Sequence, residues 1–373
     1  MSGYVITGGG TAGHTNPGIA TAQALVELGV PATDVHFIGA ERGSEGELVP
    51  AAGFTIDLLP GRGIRRSFSP DAIRDNAGAV WGLLRGIGTA VGIVRRRRPA
   101  AVLCLGGYAA FAGSLAAVLL RVPIVVSEQN AKASAVNRLF GKVANACALP
   151  YPDTDLPKGE LTGNPIRLPV VAAVAAADRD AARAELELDP DRLVLAVWAG
   201  SLGARRINDA VADLAERWRD RGDVAIHHVV GRRDFPDFAH LGARFADAAV
   251  DYRVVEYEHR MAAVQVAADV AVCRSGASTT AELALAGLPS VLVPGPFAPR
   301  DAQRANAGEL VAAGAAVIID DGDVSGARLE ETLGPWLDDR AGLAERAAAA
   351  RSVARPDAAH EVGRLLIRHG GGA

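Results

Sequence analysis

Short apolar runs alternate along this chain with longer segments in which apolar residues recur every three or four positions. The runs at 4–7, 35–38, 101–105, 122–126 and 144–149 lack inside–outside alternation, as expected of strands covered on both faces. The same kind of run resumes at 193–198, 224–230, 252–257, 269–272, 290–293 and 316–319. Strands alternating with helical segments predict an α/β fold with parallel sheets. The chain makes this start twice. Residues 4–7 lead into Gly8-Gly9-Gly10-Thr11-Ala12-Gly13-His14 and a helix; residues 193–198 lead into Ala199-Gly200-Ser201-Leu202-Gly203-Ala204 and another. Between the halves, Gly163-Asn164-Pro165-Ile166-Arg167 reads as a linker. Two Rossmann-like domains facing a cleft are predicted, over 1–162 and 163–354, with a last helix at about 355–373 packing back on the first.

Composition narrows the setting. A chain of 373 residues suits two domains, and 49% hydrophobic residues can fill two cores. A net charge of −4 argues against a general nucleic-acid binder. Cys104, Cys147 and Cys273 are far apart with no ligand spacing, which suits a reduced cytoplasm. A strand is expected by Tyr4, so no signal peptide is expected, and no uncharged apolar run is long enough to span a bilayer. Residues 71–98 read as a helix with Trp81, Leu84, Ile87, Val91 and Val94 at helical spacing and with Arg85 and Arg95 to Arg98 nearby. That pattern fits docking on an anionic membrane surface, and equally a core-facing helix with a solvated arginine run.

The candidate chemistry lies just past strand ends. In the first loop, Gly8, Gly10 and Gly13 fit GxGxxG, with Pro17 in the first turn of a helix predicted at 18–28. The second strand ends at Gly39 rather than an acid, which weakens a dinucleotide reading, and no Lys-Ser/Thr pair makes the loop a P-loop. His14 at the helix mouth is a base, a phosphate ligand or a solvated loop residue. Glu128, in Ser127-Glu128-Gln129-Asn130, is a base, a sugar contact or a cap for the next helix. In the second half, Arg274-Ser275-Gly276 turns into a helix expected near Ala281, with caps from Ser278, Thr279 and Thr280. Its free N–H groups suit a diphosphate. Glu282 in the first turn either accepts from a sugar's vicinal hydroxyls or complements the helix dipole.

Taken together, these motifs resemble the MurG glycosyltransferases over nearly the whole chain. The matching stretches are Gly9 to His14, Gly106-Gly107-Tyr108, Glu128-Gln129-Asn130, Gly163-Asn164-Pro165, Gly200 to Ala204, Arg274 to Ala277 with Glu282, and Gln303 with Asn306. The resemblance implies the GT-B architecture, with an acceptor domain first and a UDP-sugar domain second. It implies inverting transfer of N-acetylglucosamine from UDP-N-acetylglucosamine to an undecaprenyl-diphosphate-linked N-acetylmuramyl pentapeptide. That reaction belongs to peptidoglycan synthesis, and so to cell shape and division, at the cytoplasmic face of the bacterial membrane. It implies no metal or cofactor. His14 and Glu128 fall in catalytic positions. Thr11, Ala12, Gly13, Asn130, Arg167, Ser201, Leu202, Gly203, Arg274, Ser275, Gly276, Glu282, Gln303 and Asn306 fall in substrate-binding positions. The chain departs from the family pattern at Ala12, Ser127, Ala302 and the run Ala109-Ala110-Phe111-Ala112. Most departures are on the acceptor or sugar side, so a paralogue with another acceptor, an epimerase of the same architecture and a non-catalytic sugar-nucleotide binder stay open.

Overall fold

The computed structural model describes residues 3–9, 12–60, 70–176, 178–200, 202–296 and 299–371; for 12, 70–81 and 299 it describes the backbone alone. The chain forms two compact units, Met1–Leu168 with Arg355–Ala373, and Pro169–Ala354.

The first unit is built on a seven-stranded sheet in the order β3-β2-β1-β4-β5-β6-β7. Its strands are β1 (Tyr4–Thr7), β2 (Val35–Ala40), β3 (Thr55–Leu59), β4 (Ala101–Cys104), β5 (Ile124–Ser127), β6 (Ala146–Leu149) and β7 (Gly159–Leu161). All pair in parallel. The second unit has six parallel strands in the order β10-β9-β8-β11-β12-β13. These are β8 (Leu193–Trp198), β9 (Val224–Val229), β10 (Asp251–Val255), β11 (Val270–Cys273), β12 (Ser290–Leu292) and β13 (Ala316–Ile318). β1, β4, β5, β6, β8, β9 and β11 are buried along their whole length, which explains their unbroken apolar runs. In each sheet the strand order reverses beside the first strand of the unit, between β1 and β4 and between β8 and β11. Ligands bind doubly wound sheets at the carboxyl ends of such strands.

Helices α1 (Ala12–Glu27), α2 (Glu45–Ala51), α3 (Pro70–Arg97), α4 (Gly107–Leu120) and α5 (Ala135–Gly141) belong to the first unit. The helix Ala358–His369 packs on α1 and against β4, β5 and β6 of the same unit. Two edge strands, β3 and β7, escape the apolar pattern. β3 is only partly buried, and β7 is the short Gly-Glu-Leu at the rim.

Three expectations need correction. Helix α1 begins at Ala12, so Pro17 is interior rather than in the first turn, and its carbonyl accepts from Thr21 Oγ1 at 2.9 Å. The helix after β11 spans Ala277–Ala286 and begins at Gly276 with no side-chain cap. The Thr280 hydroxyl instead donates back to the Gly276 and Ala277 carbonyls, and Glu282 falls in the second turn. The segment 163–166, read as a linker and given to the second domain, falls in the first unit with all four residues buried. Gly163, at φ +86°, would bring a Cβ to 2.6 Å from Arg355 Cβ, so glycine leaves room for the Arg355 side chain.

Candidate active site

In the first unit, the loops after β1 and β4 touch backbone to backbone. A Cβ on Gly107, at φ +85°, would lie 2.7 Å from the Gly9 carbonyl oxygen. Gly9 also rests on a side chain that sequence reasoning missed: a Cβ there would lie 2.0 Å from Glu45 Oε1. Glu45 opens α2 and is buried, and its Oε1 accepts from the Ala40 N–H at 2.8 Å. Nothing in the local sequence marks it, since its partners come from β2 and the β1 loop.

His14 is the third residue of α1 and is half-buried. Burial holds its pKa below the ordinary histidine value, against the opposing pull of Glu128 and then Glu45. The imidazole is therefore neutral at neutral pH, the form able to take a proton. Thr11 and Gly10 lie outside the described residues, as does the Ala12 side chain; Gly13 is exposed.

Glu128 follows β5 and is 1% exposed. Its Oε1 accepts from the backbone N–H groups of Gln129 and Asn130, both at 3.0 Å, and from Asn130 Nδ2 at 3.4 Å. Its Oε2 accepts from the Ser134 N–H at 2.9 Å and Asn137 Nδ2 at 2.8 Å. With both oxygens engaged, this carboxylate organises the β5 loop and the start of α5, where Ser134 Oγ caps the Asn137 N–H. Of the roles open in the sequence, the geometry supports organiser over free base. Asn137, also missed, is fully buried; it further donates to the Ser127 carbonyl at 3.3 Å. The departures Ala109, Ala110 and Ala112 are buried in α4, where small side chains suit close packing on the sheet. Arg167 is exposed at the end of this unit.

In the second unit, the loop after β8 is pressed onto the end of β9. A Cβ on Gly203, at φ +82°, would lie 2.0 Å from the Val230 carbonyl oxygen. Ser201 lies outside the described residues, and Leu202 is 61% exposed. A buried chain secures this place. Asn208 Nδ2 donates to the Val230 carbonyl at 3.1 Å and to Asp234 Oδ2 at 3.0 Å. His228 Nε2 donates to Asn208 Oδ1 at 3.1 Å, and Tyr252 Oη donates to His228 Nδ1 at 2.9 Å. Full burial lowers the His228 pKa to about 3, so the ring is neutral and one nitrogen remains an acceptor.

At the end of β11 the side chains turn inward. Arg274 donates through Nη1 to the carbonyls of Val293 and Pro294, both at 3.1 Å, and pairs through Nη2 with Asp321 at 2.6 Å. Asn306, fully buried, donates to the Ser275 carbonyl at 3.3 Å, and Gln303 Oε1 accepts from the Gly295 N–H at 2.7 Å. Arg274 and Asn306 therefore brace the loop. The helix N-terminus at Gly276 and Ala277 faces the loop with backbone N–H groups, a site for an anion. Glu282 is half-buried; its Oε2 accepts from Gln265 Nε2 at 2.9 Å.

Residues 4–149 match the glycosyltransferase family 28 N-terminal domain, and residues 194–362 match the glycosyltransferase family 28 C-terminal domain. A protein of Alkalilimnicola ehrlichii is 39% identical over 365 residues, covering 97% of this chain and 98% of its own. One of Streptomyces coelicolor is 36% identical, covering 95% and 94%. Both are described as UDP-N-acetylglucosamine–N-acetylmuramyl-(pentapeptide) pyrophosphoryl-undecaprenol N-acetylglucosamine transferases. Among solved structures, MurG of Acinetobacter baumannii superposes with a TM-score of 0.77 at 28% identity, covering 98% of both chains. A UDP-GlcNAc 2-epimerase of Neisseria meningitidis reaches a TM-score of 0.69 at 13% identity over 98% and 99%, a likeness of fold alone.

Proposed function

The chain belongs to glycosyltransferase family 28, within its MurG group, and from that premise we propose that it transfers N-acetylglucosamine from UDP-N-acetylglucosamine to undecaprenyl-diphosphate-N-acetylmuramyl pentapeptide. The observation that carries this is full-length identity of 39% to a transferase named for that donor and acceptor. The reaction is a step of peptidoglycan synthesis, and through the cell wall it serves cell shape and division.

In this reading the second unit holds the donor. The N–H groups at Gly276 and Ala277 and the Gly200–Gly203 turn receive the diphosphate, and Glu282 accepts from the ribose hydroxyls. Arg274, Gln303 and Asn306 hold the loops from behind. The first unit holds the acceptor diphosphate and sugar near the Gly9, Gly13 and Asn130 loops. His14, neutral at rest, takes the proton from the attacking hydroxyl, and UDP leaves from the opposite face of the sugar with inversion. Charge developing on UDP is met by preorganised N–H groups.

The acceptor is a lipid, so the enzyme works at the cytoplasmic membrane surface. No helix among the described residues is long and apolar enough to cross a membrane. The stripe expected to dock, however, is mostly core: Val94 is buried, and Ile87 and Val91 pack beside it. That side of α3 faces α4 and the sheet, while Leu84 on another side is 57% exposed. The exposed apolar residues Leu119, Leu139 and Val143 at the ends of α4 and α5, with Arg121, Arg138 and Lys142 around them, offer a better amphipathic surface. The activity is tested by measuring UDP release with and without the lipid-linked acceptor. Acceptor-dependent release is expected; release indifferent to acceptor would mean hydrolysis of the donor instead.

A further inference from the structure

We propose that the second unit carries, at the amino ends of its strands, a binding site for a small phosphate monoester, separate from the donor loops, with Arg340 as its main cation.

The site is a cavity of about 440 Å³, room for a small molecule rather than a lone ion. Its place in the sheet sets it apart. Asp269, on its wall, immediately precedes β11; Gly287, also on its wall, caps the C-terminus of the helix Ala277–Ala286 shortly before β12. The donor loops follow β8 and β11 at the opposite, carboxyl ends. Gln265 lines the cavity and donates to Glu282, so the two places are neighbours through one side chain.

Charge gives the cavity its sign. Arg179, Arg340 and Arg351 line it with a single carboxylate, Asp269. That carboxylate is already engaged at both oxygens. One pairs with Arg179; the other accepts from Arg183 Nη2 at 2.9 Å and from the Val194 N–H at 2.7 Å. The Arg340 and Arg351 side chains make no ion pair or hydrogen bond among the described residues. Arg179 and Arg340 both act on the charge of Arg183, so they share one end of the cavity. Arg340 also acts on Asp223 without pairing with it, and Arg221 already holds that carboxylate at 2.7 Å.

A solitary solvated arginine needs no partner, and Arg351 has a local reason for its place. It lies over Gly287, where a Cβ would collide with its guanidinium, and so meets the negative end of the helix Ala277–Ala286. Arg340 has no such reason. It stands in the first turn of the helix Arg340–Ser352, which has no acid there, and a cation at that end opposes the helix dipole. A bound anion would turn this unfavourable charge into a favourable one. Three arginines against one carboxylate leave a surplus that matches a phosphate group, with nearly two negative charges at neutral pH and oxygens suited to guanidinium forks. Leu343, Val174 and Ala286 on the same walls suit an apolar remainder on the ester.

The test is calorimetric titration of phenyl phosphate, with inorganic phosphate beside it, into the whole protein at saturating UDP, so that the donor loops are filled. One equivalent of phenyl phosphate should bind, more tightly than inorganic phosphate and more weakly as salt is added. Arg340→Gln should weaken it about tenfold, the effect of about one charge-assisted hydrogen bond, and Arg351→Gln about two- to threefold. Arg328→Gln, the same change of charge at an exposed arginine paired with Glu331, should leave it unaltered. Without ligand, Arg340→Gln should keep or slightly raise the melting temperature; phenyl phosphate should raise it in the wild type far more than in the variant. A lipid headgroup offers the same chemistry, so cosedimentation with mixed phosphatidic acid–phosphatidylcholine vesicles forms a second arm. Vesicle binding that depends on Arg340, with no binding of phenyl phosphate, identifies the ligand as a headgroup. Binding of neither probe, or binding indifferent to Arg340→Gln, overturns the site. Phenyl phosphate that binds only when UDP is absent overturns it too, because the donor loops would then be what it occupies.

Discussion

His14 shows how one side chain acquires a chemical role from its surroundings. Its position after a Gly-rich loop was visible in the sequence, but its protonation state was not. Burial outweighs the two nearby carboxylates and keeps the ring neutral below the pH at which an ordinary histidine becomes charged. The acid limb of kcat/KM should accordingly fall below pH ~6.5 rather than above it. His14→Ala should lower kcat by about 10²-fold or more while UDP affinity, measured separately, stays near normal. Near-normal turnover of that variant across the neutral range would place the base elsewhere. Glu282 and Glu128 were equally legible as carboxylates past strand ends. Glu45, Asn137 and Gln265 were not, because each is defined by partners from other elements: the β1 loop for Glu45, β5 for Asn137 and a neighbouring helix for Gln265.

At the scale of elements, buried apolar strands announced themselves and helix starts did not. Both helices that follow the key Gly turns begin several residues early, at Ala12 and Ala277, since glycine and small residues permit helix without demanding it. The β9–β10 pair carries another feature invisible in sequence, the chain from Tyr252 through His228 to Asn208 and the Val230 carbonyl. His228 has a folded pKa of about 3 against an ordinary 6.5. Between those values the unfolded chain binds a proton that the folded one does not, so stability rises with pH and is lost as pH falls below 6.5. One such group contributes about 1.4 kcal/mol per pH unit across that window. His14 and His227, also lowered by burial, act in the same direction. Urea unfolding of wild type and His228→Gln at pH 7 and pH 5 checks this. The variant should be weaker at pH 7 by about 2–4 kcal/mol, through its lost buried hydrogen bonds, yet lose less on acidification. Equal acid losses in both proteins would remove His228 from the account.

For the whole molecule, two doubly wound sheets were readable from the doubled strand–glycine–helix opening, because fully buried parallel strands need continuous apolar runs. The surface was less readable: helical periodicity in α3 could not tell a core stripe from a membrane stripe, and packing on α4 decided for the core. The surface proposed for membrane docking is therefore Leu119, Leu139 and Val143 with their cationic neighbours. Cosedimentation with anionic vesicles should weaken about tenfold in Leu119→Glu/Leu139→Glu and fall with added salt, while a change at Val94 should act through stability instead. Binding untouched by the double change would reject this surface. The central claim is transfer of the sugar to the lipid-linked muramyl acceptor. Incubating the enzyme with labelled UDP-N-acetylglucosamine and that acceptor, then extracting the lipid and determining the new linkage by NMR, tests it most directly. The account predicts labelled lipid carrying a β-linked N-acetylglucosamine, inverted from the α-linked donor. Label that stays in the aqueous phase, or enters the lipid with the α configuration, would contradict it.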